Sequence, residues 1–264
     1  MSSRISRLPF VRLPLILSLS VAAIVIFGVG ADAGVNAPAH ARCPRIANAA
    51  QLPLRPGGGR LRGDFDGDGY RDRVSVRYAP KSWASCGFLL VVKTRSRVLA
   101  VRVPEWYKPP QDLRIRDWWL AEPFLVAVVR LDSQRSQIVV ARSHGASVAN
   151  VSLYGVVAGK LVLLGFPRPY RYALPLFGTV GTGDTNVRCA RGGPLILLSK
   201  SPLTASGRRW FISRSEYRLA KHRFEREGSR TVRSSMRRVY ALAHRWGMGA
   251  LPFTGCVMSR GRHL

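Results

Sequence analysis

A short acidic loop constrains the fold of this chain more than any other feature of the sequence. Residues 64–72 read DFDGDGYRD, so four of the chain's 14 acidic residues fall within nine positions. Ca²⁺ prefers about six to eight oxygen ligands, and alternate side chains of a turning backbone can converge on one such ion. Gly67 and Gly69 permit the left-handed backbone conformations of a tight turn. The sequence predicts a calcium site formed by four carboxylates and one backbone carbonyl, from Asp64, Asp66, Asp68, Tyr70 and Asp72.

The residues around this loop exclude an EF-hand. An EF-hand that began at Asp64 would need a bidentate acid at its twelfth position, which is Ser75. It would also need a helix on each side, but Pro53, Pro56 and three consecutive glycines precede the loop. Residues 73–78 alternate polar with apolar or aromatic side chains, which is typical of a half-buried strand. The loop is therefore predicted to lead into a β-strand.

In this setting the loop resembles the FG-GAP/VCBS calcium repeat, whose D-x-D-G-D-G-x-x-D motif also precedes a strand. The four aspartates match the acidic positions of that motif, and Gly67 and Gly69 match its glycines. The resemblance covers nine of 264 residues. It implies a secreted protein with an integrin-type, β-propeller-like fold and a calcium ion that has a structural role.

Four carboxylates at this spacing repel one another, which raises their pKa values unless positive charge compensates them. Arginine is the alternative source of that charge, since the chain has 42 basic residues. Arg60, Arg62, Arg71 and Arg73 flank the loop or lie within it. A turn neutralised by arginines is therefore the alternative to a calcium site.

The N-terminal segment is typical of an export signal. Arg4, Arg7 and Arg12 precede an apolar run over residues 13–30, and small-x-small cleavage motifs follow it. Residues 1–33 are predicted to be a signal peptide or an uncleaved N-terminal anchor, with the arginines on the cytoplasmic side in both cases. The rest of the chain is then secreted or extracytoplasmic, and it meets a membrane only through this segment.

Four cysteines agree with that location. They are Cys43, Cys86, Cys189 and Cys256. No two of them form a C-x-x-C pair, so disulfides are predicted rather than a zinc site. Three pairings are possible. We favour Cys43 with Cys86 and Cys189 with Cys256, because each pair closes a loop within one half of the chain.

Short apolar runs separated by turn signals predict an all-β protein. The predicted strands after the loop cover residues 86–93, 98–103, 125–131, 137–141, 151–157, 160–165, 195–198 and 210–219. Over residues 229–246, however, apolar residues fall on one helical face and arginines on the others, which predicts a late amphipathic helix. The expected architecture is a partial β-propeller-like fold or a β-sandwich.

The predicted domain organisation is simple. Residues 34–60 form a linker, and residues 61–264 form one β-rich domain with a possible sub-boundary near 167–180. Polar turns that begin at Leu131 and near Gly181 look like degenerate copies of the acidic loop. Each keeps too few acids to bind calcium.

The charge of the chain indicates the chemistry of its partner. Without residues 1–33 the chain has 39 basic and 13 acidic residues, a net charge of +26. A field of this size attracts polyanions, and outside a cell the expected partner is an anionic cell-wall or surface polymer. The sequence has no zinc-finger spacing and no RNA-binding aromatic signature, so specific nucleic-acid recognition is not predicted.

The sequence also lacks the common catalytic motifs. It contains no G-x-S-x-G, no H-E-x-x-H and no P-loop. The prediction is a non-enzymatic structural or adhesion-type protein of the cell envelope. One alternative is a carbohydrate-binding module, for which Trp106 and Tyr107 in a proline-stiffened loop offer stacking surfaces. The other is a hydrolase that acts on cell-wall polysaccharide.

Overall fold

Antiparallel β-strands dominate the computed structural model, and most of them pair with their sequence neighbours. The structure describes residues 46–55, 58–78, 88–103, 123–144, 149–171, 173–176, 184–190, 193–203 and 207–261. All of these belong to one unit, residues 41–264. The predicted all-β class is confirmed.

The first sheet is a four-stranded meander in the order β1-β2-β3-β4. Its strands are β1 (Arg60–Gly63), β2 (Asp72–Tyr78), β3 (Phe88–Lys93) and β4 (Val98–Val103). A 3-10 helix, Ile46–Gln51, lies against this sheet and contributes Ala49 to a small cluster with Leu89 and Val91.

The second sheet has six strands and lies at the centre of the fold. Its strands are β5 (Phe124–Val129), β6 (Gln137–His144), β7 (Ala149–Val157), β8 (Lys160–Leu163), β9 (Leu174–Leu176) and β14 (Val257–Arg260). The order is β14-β5-β6-β7-β8, and β9 also pairs with β7. The strand most distant in sequence, β14, therefore pairs with the first strand of the sheet.

The third sheet is again a meander, in the order β10-β11-β12-β13. Its strands are β10 (Asp184–Cys189), β11 (Leu195–Pro202), β12 (Trp210–Ala220) and β13 (Arg223–Ser234). A disulfide between Cys189 and Cys256 joins the end of β10 to the segment before β14, with the Cα atoms 5.5 Å apart. This pairing was predicted and is confirmed.

Two hydrophobic clusters show that the central sheet is buried on both faces. Leu125 and Val128 pack in one cluster with residues of the first sheet. Val126 and Val129 pack in the other with residues of the third sheet. All six residues of β5 are buried, which explains why its sequence, FLVAVV, is apolar throughout instead of alternating. The sheets form three layers, and they do not close into a barrel or propeller within the described ranges.

The late helix is shorter than predicted. Residues 223–234 form β13, and helix α1 covers only Met236–Trp246. The prediction of a helix from residue 229 was wrong because Val232 fits the helical pattern but instead pairs with Ile212 across the β12–β13 ladder. From that strand Val232 contacts the same small core as the helix, where Val239 and Ala243 pack on Trp210 and Ile212. The helix ends at Gly247, in the left-handed conformation with φ 80°.

Five strands of the structure were not predicted from the sequence. Three of them have only three or four residues, and the five are β1, β9, β10, β13 and β14.

Some of the predictions fall outside the described residues, namely those for residues 1–33, Cys43, Cys86, Trp106 and Tyr107. Within the part of the chain that is described, no helix has the length and apolar character needed to cross a membrane.

Candidate metal site

The acidic loop connects β1 to β2, and the structure fixes both of its ends. Gly63 pairs with Asp72 across the β1–β2 ladder, so the loop closes on itself. The Phe65 side chain is completely buried in the core between the first and central sheets. The backbone N–H of Ser136 donates to the carbonyl of Asp64 at 2.7 Å. The loop is thus held by the core beneath it and by the turn that precedes β6.

Two glycines shape the loop around the Asp64 carboxylate. The N–H of Gly67 donates to Asp64 Oδ1 at 2.8 Å, and the N–H of Gly69 donates to Asp64 Oδ2 at 3.0 Å. Both glycines have positive φ angles, 85° and 84°. A side chain at either position would strain the backbone, so the sequence pattern and the turn geometry agree.

Three of the four loop carboxylates converge. Asp64, Asp66 and Asp72 each offer a carboxylate oxygen, and these oxygens lie within 4.8 Å of one another. Asp68 is outside this group, and its Oδ1 accepts the N–H of Tyr70 at 2.8 Å. The Tyr70 ring is 57% exposed and lies 4.8 Å from the Arg95 guanidinium. That these five residues are calcium ligands stays a prediction.

The converging carboxylates have no ion-pair partner among the described residues. Within the described ranges, no arginine or lysine forms an ion pair with Asp64, Asp66 or Asp72, although four arginines lie near them in sequence. Asp66 Oδ1 is buried and has no hydrogen-bond partner among the described residues. A buried, unpartnered carboxylate oxygen is costly unless a cation binds it. The arginines that flank the loop, where the structure describes them, therefore form no close ion pair with these carboxylates.

Asp72 shows the electrostatic consequence of this arrangement. Its side chain is only 2% exposed, and burial raises the pKa of its carboxyl above the ordinary value of 3.8. The negative charges of Asp66 and Asp68 raise this pKa further, while a hydrogen bond from the Phe65 N–H to Asp72 Oδ2 at 3.0 Å opposes the rise. Oxygen ligands that converge and repel one another fit a hard divalent cation such as Ca²⁺.

The turn before β6 provides a contrast in the same molecule. Asp132 Oδ1 accepts the N–H groups of Gln134 and Arg135, and its Oδ2 accepts the side-chain amide of Gln137 at 2.9 Å. This single acid is satisfied by protein donors, so it needs no cation. Gly67 faces this turn so closely that a Cβ there would lie 3.2 Å from the Arg135 side chain. Sequence reasoning found both turns but not that they pack together.

Comparison with known proteins does not assign this chain to a family. No family model, curated protein or solved structure matches this chain.

The calcium response of the protein is expected to depend on pH through Asp72. A raised folded-state pKa means that the protonated carboxyl contributes stability below pH 3.8, and this contribution is lost as the pH rises through the folded-state value. A calcium ion at this site would bind the ionised form and offset that loss. We expect the rise in melting temperature on adding calcium to be largest near neutral pH and to vanish in acid. Melting curves with calcium and with chelator across this range check it, and an undiminished response below pH 3.8 would contradict it.

Proposed function

We propose that this chain is an exported, calcium-stabilised, non-enzymatic protein with a structural or adhesive role at the cell envelope. The observation that carries the calcium part is the convergence of Asp64, Asp66 and Asp72, together with a buried Asp66 oxygen that has no hydrogen-bond partner in the part of the chain that is described. The Cys189–Cys256 disulfide indicates an extracytoplasmic location, where calcium is plentiful and thiols are oxidised.

The role proposed for calcium is structural because of where the loop lies. The loop joins the first sheet to the turn of the central sheet through Phe65, the Asp64 carbonyl and the Gly67–Arg135 contact. An ion that neutralises the three carboxylates would hold these two layers in register. The envelope role rests on the net charge of +26 that the chain has without residues 1–33, which favours attachment to an anionic polymer.

Thermal unfolding tests the calcium site. Calcium that binds only the native state stabilises it by about 2.7 kcal/mol at a hundredfold excess over Kd, which raises Tm by about 5–10 °C for a domain of this size. We expect this increase in the parent protein and none in Asp66→Asn, measured with calcium and with chelator.

Asp132→Asn is the matched control. It removes one carboxylate from the neighbouring turn, where all the acceptors are satisfied by protein donors. Its Tm with chelator is expected to fall, but its calcium-dependent increase should equal that of the parent. If neither the parent nor the control responds to calcium, the site is not a calcium site.

Release of reducing ends from wall glycans by the pure protein would overturn the non-enzymatic role.

A further inference from the structure

A cleft lined by none of the predicted site residues concentrates positive charge. It has a volume of about 570 Å³ and lies between the loop after β8 and the start of β13. Four of the side chains that line it are arginines, and one acidic residue, Glu225, accompanies them. The arginines are Arg168, Arg171, Arg223 and Arg226.

The backbone holds the two walls of this cleft together. The N–H of Phe224 donates to the Gly165 carbonyl at 2.7 Å, and the N–H of Gly165 donates to the His222 carbonyl at 3.1 Å. The rings of Phe166 and Phe224 stack with centroids 4.2 Å apart and planes 6° apart. Both rings are buried, so they form a firm base under the arginines. The backbone and the two rings therefore fix the walls of the cleft, while its four arginines are exposed to solvent.

The loop that supplies Arg168 and Arg171 is also tightly turned. The N–H of Phe166 donates to the Arg171 carbonyl at 2.5 Å, which closes the loop into a ring of six residues. Arg171 has a φ of 46°, in the left-handed region that residues other than glycine rarely adopt. Such conformations persist where the surrounding structure enforces them, and they are frequent at ligand sites.

The positive charge of the cleft has little compensation from the residues that the structure describes. None of the four guanidinium groups forms an ion pair with another described residue. Other acids of the same hairpin are already paired, since Glu227 lies 2.6 Å from Arg218 and Glu216 lies 2.8 Å from Arg214. With Glu225 counted, the cleft has a net charge of +3.

This charge and donor count identify the chemistry of the ligand. Each guanidinium offers about five N–H donors in a planar fork, and a single carboxylate has only about four acceptor positions. Four forks therefore match a ligand with several anionic groups, such as consecutive phosphates. We propose that this cleft binds a phosphodiester segment of an anionic cell-envelope polymer. The proposal rests on the envelope role proposed above and assigns the polymer a place on the protein.

Calorimetric titration of the full, calcium-saturated protein tests the cleft. The probes are a glycerol-phosphate oligomer and a thymidine oligomer with the same number of phosphodiesters. We expect saturable binding of the glycerol-phosphate oligomer with one site per chain. The double variant Arg168→Gln with Arg226→Gln should weaken it about tenfold or more, because it removes two charge-assisted contacts.

The matched control is Arg237→Gln with Arg238→Gln, which removes the same charge from exposed positions of α1. The helix packs at the Trp210 end of the β12–β13 hairpin, and the cleft lies at its Arg223 end. We expect the affinity of this control to stay within about twofold of the parent, because charges separated by that length of sheet are largely screened. Equal losses in both double variants would mean that diffuse charge, not the cleft, binds the polymer. Binding of the thymidine oligomer as tight as that of glycerol phosphate would overturn the wall polymer in favour of nucleic acid.

Retention on isolated wall polymer separates this inference from the proposed function. If the parent is not retained at low salt, the envelope role and the cleft assignment both fall. If the parent and the cleft variant are retained equally, the envelope role stands and only the cleft assignment is wrong. Loss of retention in the cleft variant alone supports both.

Discussion

Replacing Phe65 by alanine is expected to lower the free energy of unfolding by about 3–5 kcal/mol, the usual loss for a large aromatic removed from a core. Phe65 has no exposed surface and packs in the cluster between the first and central sheets. Its N–H also donates to Asp72, so a cavity at this position loosens one of the three converging carboxylates. We expect the calcium-dependent increase in Tm to shrink together with the stability.

Urea unfolding with calcium and with chelator measures both effects. Tyr70→Ala is the control, since it removes an aromatic ring from the same loop at a position that is 57% exposed. Its loss is expected to be within about 1 kcal/mol, which includes the ring's contact with Arg95. Equal losses for the two variants would mean that the loop does not anchor in the core as described.

Removing the Cys189–Cys256 disulfide is expected to have an effect of similar size. The bridge joins residues 67 positions apart, and the chain-entropy relation gives about 4 kcal/mol for a loop of that length. Both cysteines are also buried in the core between the central and third sheets. The double variant Cys189→Ala with Cys256→Ala should therefore unfold at a markedly lower urea concentration.

The slope of the urea transition distinguishes the stability that comes from the cross-link from the stability that comes from the packing of the two sulfur atoms. An unfolded chain without the bridge exposes more surface, so the dependence of the free energy on urea should become steeper. A loss of stability with an unchanged slope would indicate lost packing alone. An unchanged midpoint would show that the bridge adds nothing to the stability of the fold.

Much of the fold could be predicted because its strands follow simple burial patterns. The run 98–103 was predicted with the bounds of β4, and 151–157 lies within β7. The helix boundary could not be predicted, because Val232 satisfies the helical period and the strand ladder equally well. Strand β13 escaped detection because it is exposed along most of its length and rich in arginine, so no apolar alternation marks it.

The candidate site was predicted in its residues but not in its three-dimensional arrangement. The motif identifies four aspartates, yet only three of them converge, and Asp68 instead accepts the N–H of Tyr70. Which carboxylates converge depends on the backbone geometry of the loop.

The arginine cleft was not predicted from the sequence, for a different reason. Its walls are more than fifty residues apart in the chain, and an isolated β-bridge between Gly165 and Arg223 brings them together.

The pairing of β14 with β5 has a consequence for the order in which the molecule is made. The central layer receives its edge strand only after residues 257–260 have been synthesised, while the partner strand, residues 124–129, emerges far earlier. Until then β5, apolar at every position, has one open edge of unpaired backbone groups, the kind of edge that recruits other chains. Completion of the fold is thus a late event, which suits a polypeptide that crosses a membrane before it acquires its final shape.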